Sequence, residues 1–300
     1  METQQRLAAR LDNIRATEPL LSALRNISLG NRLMALNRKR ELDKYLGSLL
    51  HILNLVSPSL GVAPRRRQDQ RQGGGEIALL VIGSERGLCG AFNQTVVAYA
   101  QRVLKERSAS GVRARLMVLG ARALRAFKRR GVSLAWSSSL SMTGLPRFGL
   151  CHELASQWLE SYEDRDLDAV DIVYNAYRGM ARFEPSIYRL LPPHLALPAE
   201  DEPEWPPIIE TDPLGLYART LGLWLSTTLY GFLLESATAE HSLRYRLLDG
   251  ASQNAQRLIE EMSLSLQMAR QEAITSEMQE LAIGSGLYGS SPGTAFGTAG

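Results

Sequence analysis

Apolar residues in the first sixty positions recur at helical spacing: Leu7, Leu11, Ile14, Leu21, Leu24 and Ile27, then Leu42, Leu46, Leu49 and Leu53. The spacing predicts a helix over 1–60 that ends at Ser57-Pro58. Two residues weaken it. Pro19 removes a backbone donor, and Gly30 loosens the turns around it. Thr17 is placed to cap a helix restarting with Pro19 in its first turn, which predicts a kink near residues 16–20. Residues 61–75 carry Arg65-Arg66-Arg67 and a glycine triplet, and read as a basic, Gly-rich linker.

The rhythm changes at Glu76. Ile77 to Ile82 is an unbroken apolar run, the pattern of a strand buried on both faces. Gly83 to Gly90 reads as a turn and Ala91 to Lys105 as a helix. Strands follow at Arg113–Leu119, Val132–Trp136 and Val170–Tyr177, with helices at Ala121–Arg129 and His152–Tyr162 between them. Tyr188–Leu191 is a candidate neighbour for the last strand. Strands alternating with helices predict a mainly parallel, Rossmann-like α/β domain over 76–213, which closes in a proline-rich connection from Pro192. The helical period returns over 214–288, where Leu248, Ala251, Ala255, Leu258, Met262, Leu266, Ala269 and Ala273 step by three or four. Residues 289–300 are rich in Gly, Ser, Thr and Pro and read as a disordered tail.

A helix of about fifty residues is roughly 75 Å long, more than a small domain can cover. Two such helices at opposite ends of the chain can bury their stripes against each other or against a partner. The fold class expected is therefore α/β, with a long antiparallel coiled coil of the N- and C-terminal helices and an α/β domain inserted between them. The alternative is a set of ordinary helices folded back into one globule.

Charge sharpens this picture. The net charge of +3 does not call for a general nucleic-acid binder. Split by segment, residues 1–72 carry thirteen Lys or Arg against six acids, whereas 240–288 carry four against seven. Opposite charges favour pairing the two ends side by side. Two cysteines form no spaced framework, and the N-terminus lacks the apolar core of a secretory signal. The apolar stretch 214–234 is broken by Arg219, Gly222 and Ser226-Thr227-Thr228, and reads as a buried helix.

Candidate chemistry is sparse. Ser84 to Asn93 follows a buried strand and opens a helix, where backbone amides can cradle phosphate. Its glycines match neither the dinucleotide nor the P-loop fingerprint. They read instead as tight-turn and close-approach positions, and Cys89 as a small buried residue. The histidines His51, His152, His194 and His241 lack metal-ligand spacing, so no metal or cofactor is expected. Asp164, Asp166, Asp168 and Asp171 read as a solvated loop. The helix carrying Arg270, Gln271, Thr275 and Glu277 presents donors and acceptors opposite an apolar stripe, suited to a partner or to solvent. On residues alone, a nucleotide-binding α/β enzyme and a coiled-coil scaffold remain open.

Taken in order, three segments resemble the gamma subunit of F-type ATP synthases, the central rotor stalk. Ser84-Glu85-Arg86-Gly87-Leu88-Cys89-Gly90-Ala91-Phe92-Asn93 is similar to that family's Asp-Arg-Gly-Leu-Cys-Gly-x-x-Asn signature, which places Arg86, Gly87, Leu88, Gly90 and Asn93 in a structural turn. The segment from Glu240-His241 to Asn254-Ala255 is similar to its Ser-Glu-His-x-x-Arg…Ala-Thr-x-Asn-Ala. The segment 269–277 is similar to its Ala-Arg-Gln-x-x-Ile-Thr-x-Glu. The resemblance implies a non-catalytic subunit of an ion-transporting two-sector ATPase, driven by protons or sodium, on the cytoplasmic face of the cell membrane. It implies alpha, beta and epsilon subunits and the membrane c-ring as partners, with Arg270, Gln271 and Thr275 contacting the catalytic ring. The chain departs from the family at Thr17-Glu18-Pro19-Leu20-Leu21, where two lysines are lost and a proline is gained.

Overall fold

The computed structural model describes residues 2–60, 75–141, 144–180, 182–193 and 209–284. Most of the expected 61–75 linker, the centre of the proline-rich connection and the 289–300 tail lie outside the described residues. The elements are α1 (Glu2–Val56), β1 (Glu76–Ile82), α2 (Phe92–Ala109), β2 (Arg113–Leu119), α3 (Ala121–Arg129), β3 (Trp136–Ser138), α4 (Phe148–Glu163), β4 (Ala169–Gly179), β5 (Arg182–Leu191) and α5 (Pro213–Gly284). They fall into two compact units, one of residues 24–248 and one of 1–23 with 249–300.

The larger unit is built on a five-stranded sheet of order β3-β2-β1-β4-β5, parallel except for β5, which runs antiparallel to β4. The run at 77–82 lies at its centre and is buried on both faces. Ala78, Leu80 and Ile82 point toward α4, the last turns of α1 and the first half of α5. Leu79 and Val81 point toward α2 and α3. From Trp224 to Ser242, α5 is buried almost all round, as the mixed apolar and small-polar run at 214–234 suggested. Gly231 of α5 faces the Leu42 side chain of α1, and a Cβ added there would lie in ordinary contact with its Cδ2, at 3.5 Å. Arg38 bonds the Tyr230 hydroxyl at 3.2 Å, and Lys39 pairs with Glu235 at 3.6 Å.

Four local expectations need correction. The third strand is Trp136–Ser138 and not Val132–Trp136, because Val132 and Leu134 pack beneath the α2–α3 layer before the chain reaches the sheet. β5 begins at Arg182, well before Tyr188. Its edge position tolerates Pro185 and a polar outer face, which hid it. Asp171 is no loop residue. It lies buried on β4, paired with Arg107 of α2 at 3.1 Å and with Arg189 of β5. Asp168, just before β4, accepts the Glu76 amide at 2.8 Å. Finally, α1 is assigned as one helix through Pro19, and Thr17 does not cap a new one. Its hydroxyl donates to the Asn13 carbonyl at 2.7 Å.

In the smaller unit the two chain ends pair as antiparallel helices. Gln4 donates to the Ala269 carbonyl at 2.5 Å, Arg15 to the Ser263 hydroxyl at 3.1 Å, and Ser252 to the Glu18 carboxylate at 2.9 Å. As numbers rise on α1 they fall on α5.

Candidate partner surface and signature turn

The turn after β1 is made by close approach and by two left-handed residues. A Cβ on Gly83 would lie 2.3 Å from the Cβ of Ala123, so only glycine lets β1 end this close to α3. Gly83→Ala is therefore expected to cost about 1–3 kcal/mol through overpacking, read as a lower urea midpoint; an unmoved midpoint would refute the close-approach role. Leu88 (φ 59°) and Gly90 (φ 54°) both occupy the left-handed region. That region disfavours a branched side chain such as Leu88, which is also 61% exposed.

Asn93, in the first turn of α2, ties the loop together. Its Oδ1 accepts the Ser84 amide at 2.9 Å, and its Nδ2 donates to the Ser84 hydroxyl at 2.8 Å. That hydroxyl donates onward to the Arg86 carbonyl at 2.7 Å. Glu85 reaches across to α3 and accepts the amides of Ala121 at 3.1 Å and Leu140 at 2.9 Å. A carboxylate there also suits the positive end of the α3 dipole. Cys89 is buried with Phe92 and Ala239, and burial pushes its thiol up, which keeps it protonated.

The second family segment meets this turn. Arg244, on α5, donates from Nε to the Gly87 carbonyl at 3.1 Å and from Nη2 toward the Arg86 carbonyl at 3.4 Å. The same Nη2 binds Glu240 at 2.5 Å, and Nη1 lies 3.1 Å from His241 Nδ1. A guanidinium only donates, so Nδ1 is the acceptor and the imidazole is neutral. Burial pushes Glu240 up despite the opposing pull of Arg244. Burial first, then the Arg244 charge, lowers His241 to about 4. This contact between residues 157 and 158 positions apart left no signal in the sequence. Beside it Asn31, Ser236 and Glu240 line a cavity of about 40 Å³, far below the roughly 300–1,000 Å³ of a ligand pocket.

Arg270, Gln271 and Thr275 belong to the smaller unit and the signature turn to the larger one. All three are exposed, and Thr275 donates to the Gln271 carbonyl at 2.8 Å. Gln4 is paired at Ala269, and beyond that point nearly every α5 residue is exposed. Ile274, Met278, Leu281 and Ile283 are among them, at 57–72% exposure. These apolar residues and the exposed Arg270 and Gln271 lie on the same stretch of α5.

Comparison with known proteins covers nearly the whole chain. The ATP synthase family model matches residues 3–286. The ATP synthase gamma chain of Pelotomaculum thermopropionicum is 28% identical over 284 residues, covering 94% of this chain and 97% of that one. The gamma chain of Geotalea daltonii is 32% identical over 213 residues, 70% of this chain and 72% of its own. The fold is shared with a chain in the rotor structure of the Euglena gracilis mitochondrial ATP synthase, with TM-score 0.58 at 18% identity over 91% of this chain and 99% of that one. A chain in the central stalk and c-ring structure of the Tetrahymena thermophila enzyme gives TM-score 0.55 at 18% identity, over 78% of this chain and 99% of its own. A family match from residue 3 to residue 286, with gamma chains as the relatives, makes this chain a member of the ATP synthase gamma-chain family.

Proposed function

We propose that the chain is the central stalk of a rotary ATP synthase, coupling ion flow through a membrane c-ring to ATP synthesis or hydrolysis in an alpha–beta ring. The observation that carries this is the end of α5, where Arg270, Gln271 and a run of apolar side chains stand exposed beyond Ala269, which Gln4 of α1 bonds. In this reading Arg270 and Gln271 hydrogen-bond a beta-subunit loop, with Thr275 on the same stretch. The basic α1 faces acidic loops of the ring, and the foot rests on epsilon and the c-ring. Among the described residues no helix is long and apolar enough to cross a membrane. Attachment to the cytoplasmic face would then be peripheral, through partner subunits.

The proposed stalk does no ATP chemistry of its own. It biases each beta subunit among nucleotide states by making different contacts with each, a population shift by differential binding. Against a nucleotide enzyme stands the crevice at the carboxyl end of β1, where a doubly wound sheet takes its ligand. Here Phe92 and Ala239 pack against Cys89, and Arg244 occupies the turn's carbonyls. The test is reconstitution with the alpha and beta subunits of the same organism. Arg270→Ala is expected to lower coupled ATP hydrolysis several-fold with the chain's melting unchanged, because the side chain is exposed. Undiminished coupled turnover would remove Arg270 from the contact, and failure to assemble at all would overturn the stalk assignment.

A further inference from the structure

On α1 the seam of the smaller unit holds two polar residues: Gln4, which bonds a backbone carbonyl of a kind that any register offers, and Glu18, which bonds side chains. On α1, Gln4, Leu7, Leu11, Ile14, Glu18 and Leu21 alternate steps of three and four, and none of them is exposed. On α5 the positions turned inward are Ser252, Ala255, Ile259, Met262, Leu266 and Ala269. Ala251 and Ala273, where the sequence period also places the seam, are exposed, and Leu258 is half-buried like Ile259 beside it. Ser252 is 1% exposed, and its hydroxyl donates to Glu18 Oε1 at 2.9 Å. Gln256, one turn along, donates to the same oxygen at 3.3 Å.

We infer that Glu18 is a register pin: with Ser252 and Gln256 it fixes which heptad of α5 faces α1, next to the turn that Pro19 weakens. Three features carry this. The carboxylate lies at a seam position on α1 and its main donor at a buried seam position on α5, so each satisfies a group the other must cover. A slip of one heptad would put Ile259 in the place of Ser252 and remove the buried donor, leaving only Ser263 in the place of Gln256. The remaining seam pairs, small or flexible residues such as Ala255, Met262 and Ala269, discriminate poorly between registers. A single polar position in a coiled-coil seam sets register in this way and does so at some cost in stability. Pro19 sharpens the need, since its ring removes the amide that would bond the Arg15 carbonyl and leaves that turn less able to hold its own phase. Glu18 acts through Ser252 and Gln256, so it is a positioning residue.

The test is a distance measurement between spin labels at Gln5→Cys and Glu260→Cys, both exposed and offset along the pair, in the full-length chain. Cys89 and Cys151 are buried. With Glu18 the distance distribution is expected to be single. Glu18→Leu is expected to add a second population displaced by up to about 10 Å, seven residues at the helical rise, while the thermal midpoint holds or rises. Glu18→Gln keeps the acceptor oxygen and is expected to restore the single distance. A single, unshifted distance in Glu18→Leu would overturn the inference. If that variant does not fold, Ser252→Ala decides: a split distribution supports the pin, and an unsplit one refutes it. The readout needs no partner subunit, so it stands or falls apart from the stalk assignment.

Discussion

Replacing Arg244 by methionine is expected to destabilise the 24–248 unit by about 3–5 kcal/mol, the cost of removing one partner from a buried ion pair. Arg244 serves four acceptors: the carbonyls of Arg86 and Gly87, the Glu240 carboxylate and His241 Nδ1. Methionine fills much of the space but donates to none of them. Glu240 is 8% exposed and already pushed up by burial; without the guanidinium it must take a proton or bring in water. The control is Arg244→Met with Glu240→Gln, which removes the stranded charge and is expected to recover part of the loss. A double-mutant cycle in urea separates the pair from the carbonyl bonds. Amide exchange in the turn at 84–93 is expected to quicken alongside. A single variant that costs less than about 1 kcal/mol, or a double variant no better than the single, would show that Arg244 does not hold the turn.

The fold was legible where one interaction dominated. The run at 77–82 could only be a central strand, because a residue buried on both faces must be apolar on both. The helical period at each end survived because a long helix repeats its pattern often enough to outweigh a proline. Legibility failed where burial and secondary structure parted. Val132 and Leu134 are apolar because they pack under α3, not because they belong to a strand. β5 lies at an edge, so its polar face and Pro185 carry no strand signal. On α5 the seam read from the period holds at Leu248, Ala255 and Met262, which are buried, and misses at Ala251, because Ser252, a small polar residue, fills the buried place beside it.

The candidate site shows the same division. The glycines of the signature turn gave away their purpose, since a tight turn and close helix approach leave little choice of residue. The partner of that turn was invisible. Nothing in the local sequence of Glu240 to Arg244 says that a guanidinium there must meet carbonyls at 86 and 87, because the match is of geometry and not of pattern. Asp171 was misread for a related reason. An acidic cluster before a strand is ordinarily solvated, and only the two arginines brought in by α2 and β5 make a buried carboxylate tolerable.

Between pH 7 and pH 4 the chain is expected to lose stability in a way that depends on His241. The imidazole titrates at about 4 in the folded chain, against an ordinary value of 6.5. Between those values the unfolded chain takes up a proton that the folded chain refuses. The contribution is fully present above 6.5 and is lost as pH falls through the window, amounting to about 3 kcal/mol at the acid end. The geometry gives the cause independently: a protonated Nδ1 would lose the bond from Arg244 at 3.1 Å and set two cations in contact. Glu240 works with the opposite sign, since a carboxyl pushed up by burial favours the folded chain as pH falls toward its usual range. The two are separated by comparing the native chain with His241→Gln, which leaves Glu240 in place. The variant's stability is expected to fall less steeply from pH 6.5 to pH 4, by most of that 3 kcal/mol, in urea unfolding at a series of pH values. Parallel curves for the two proteins would mean that His241 takes up its proton alike in the folded and unfolded chain, and that Arg244 does not donate to it.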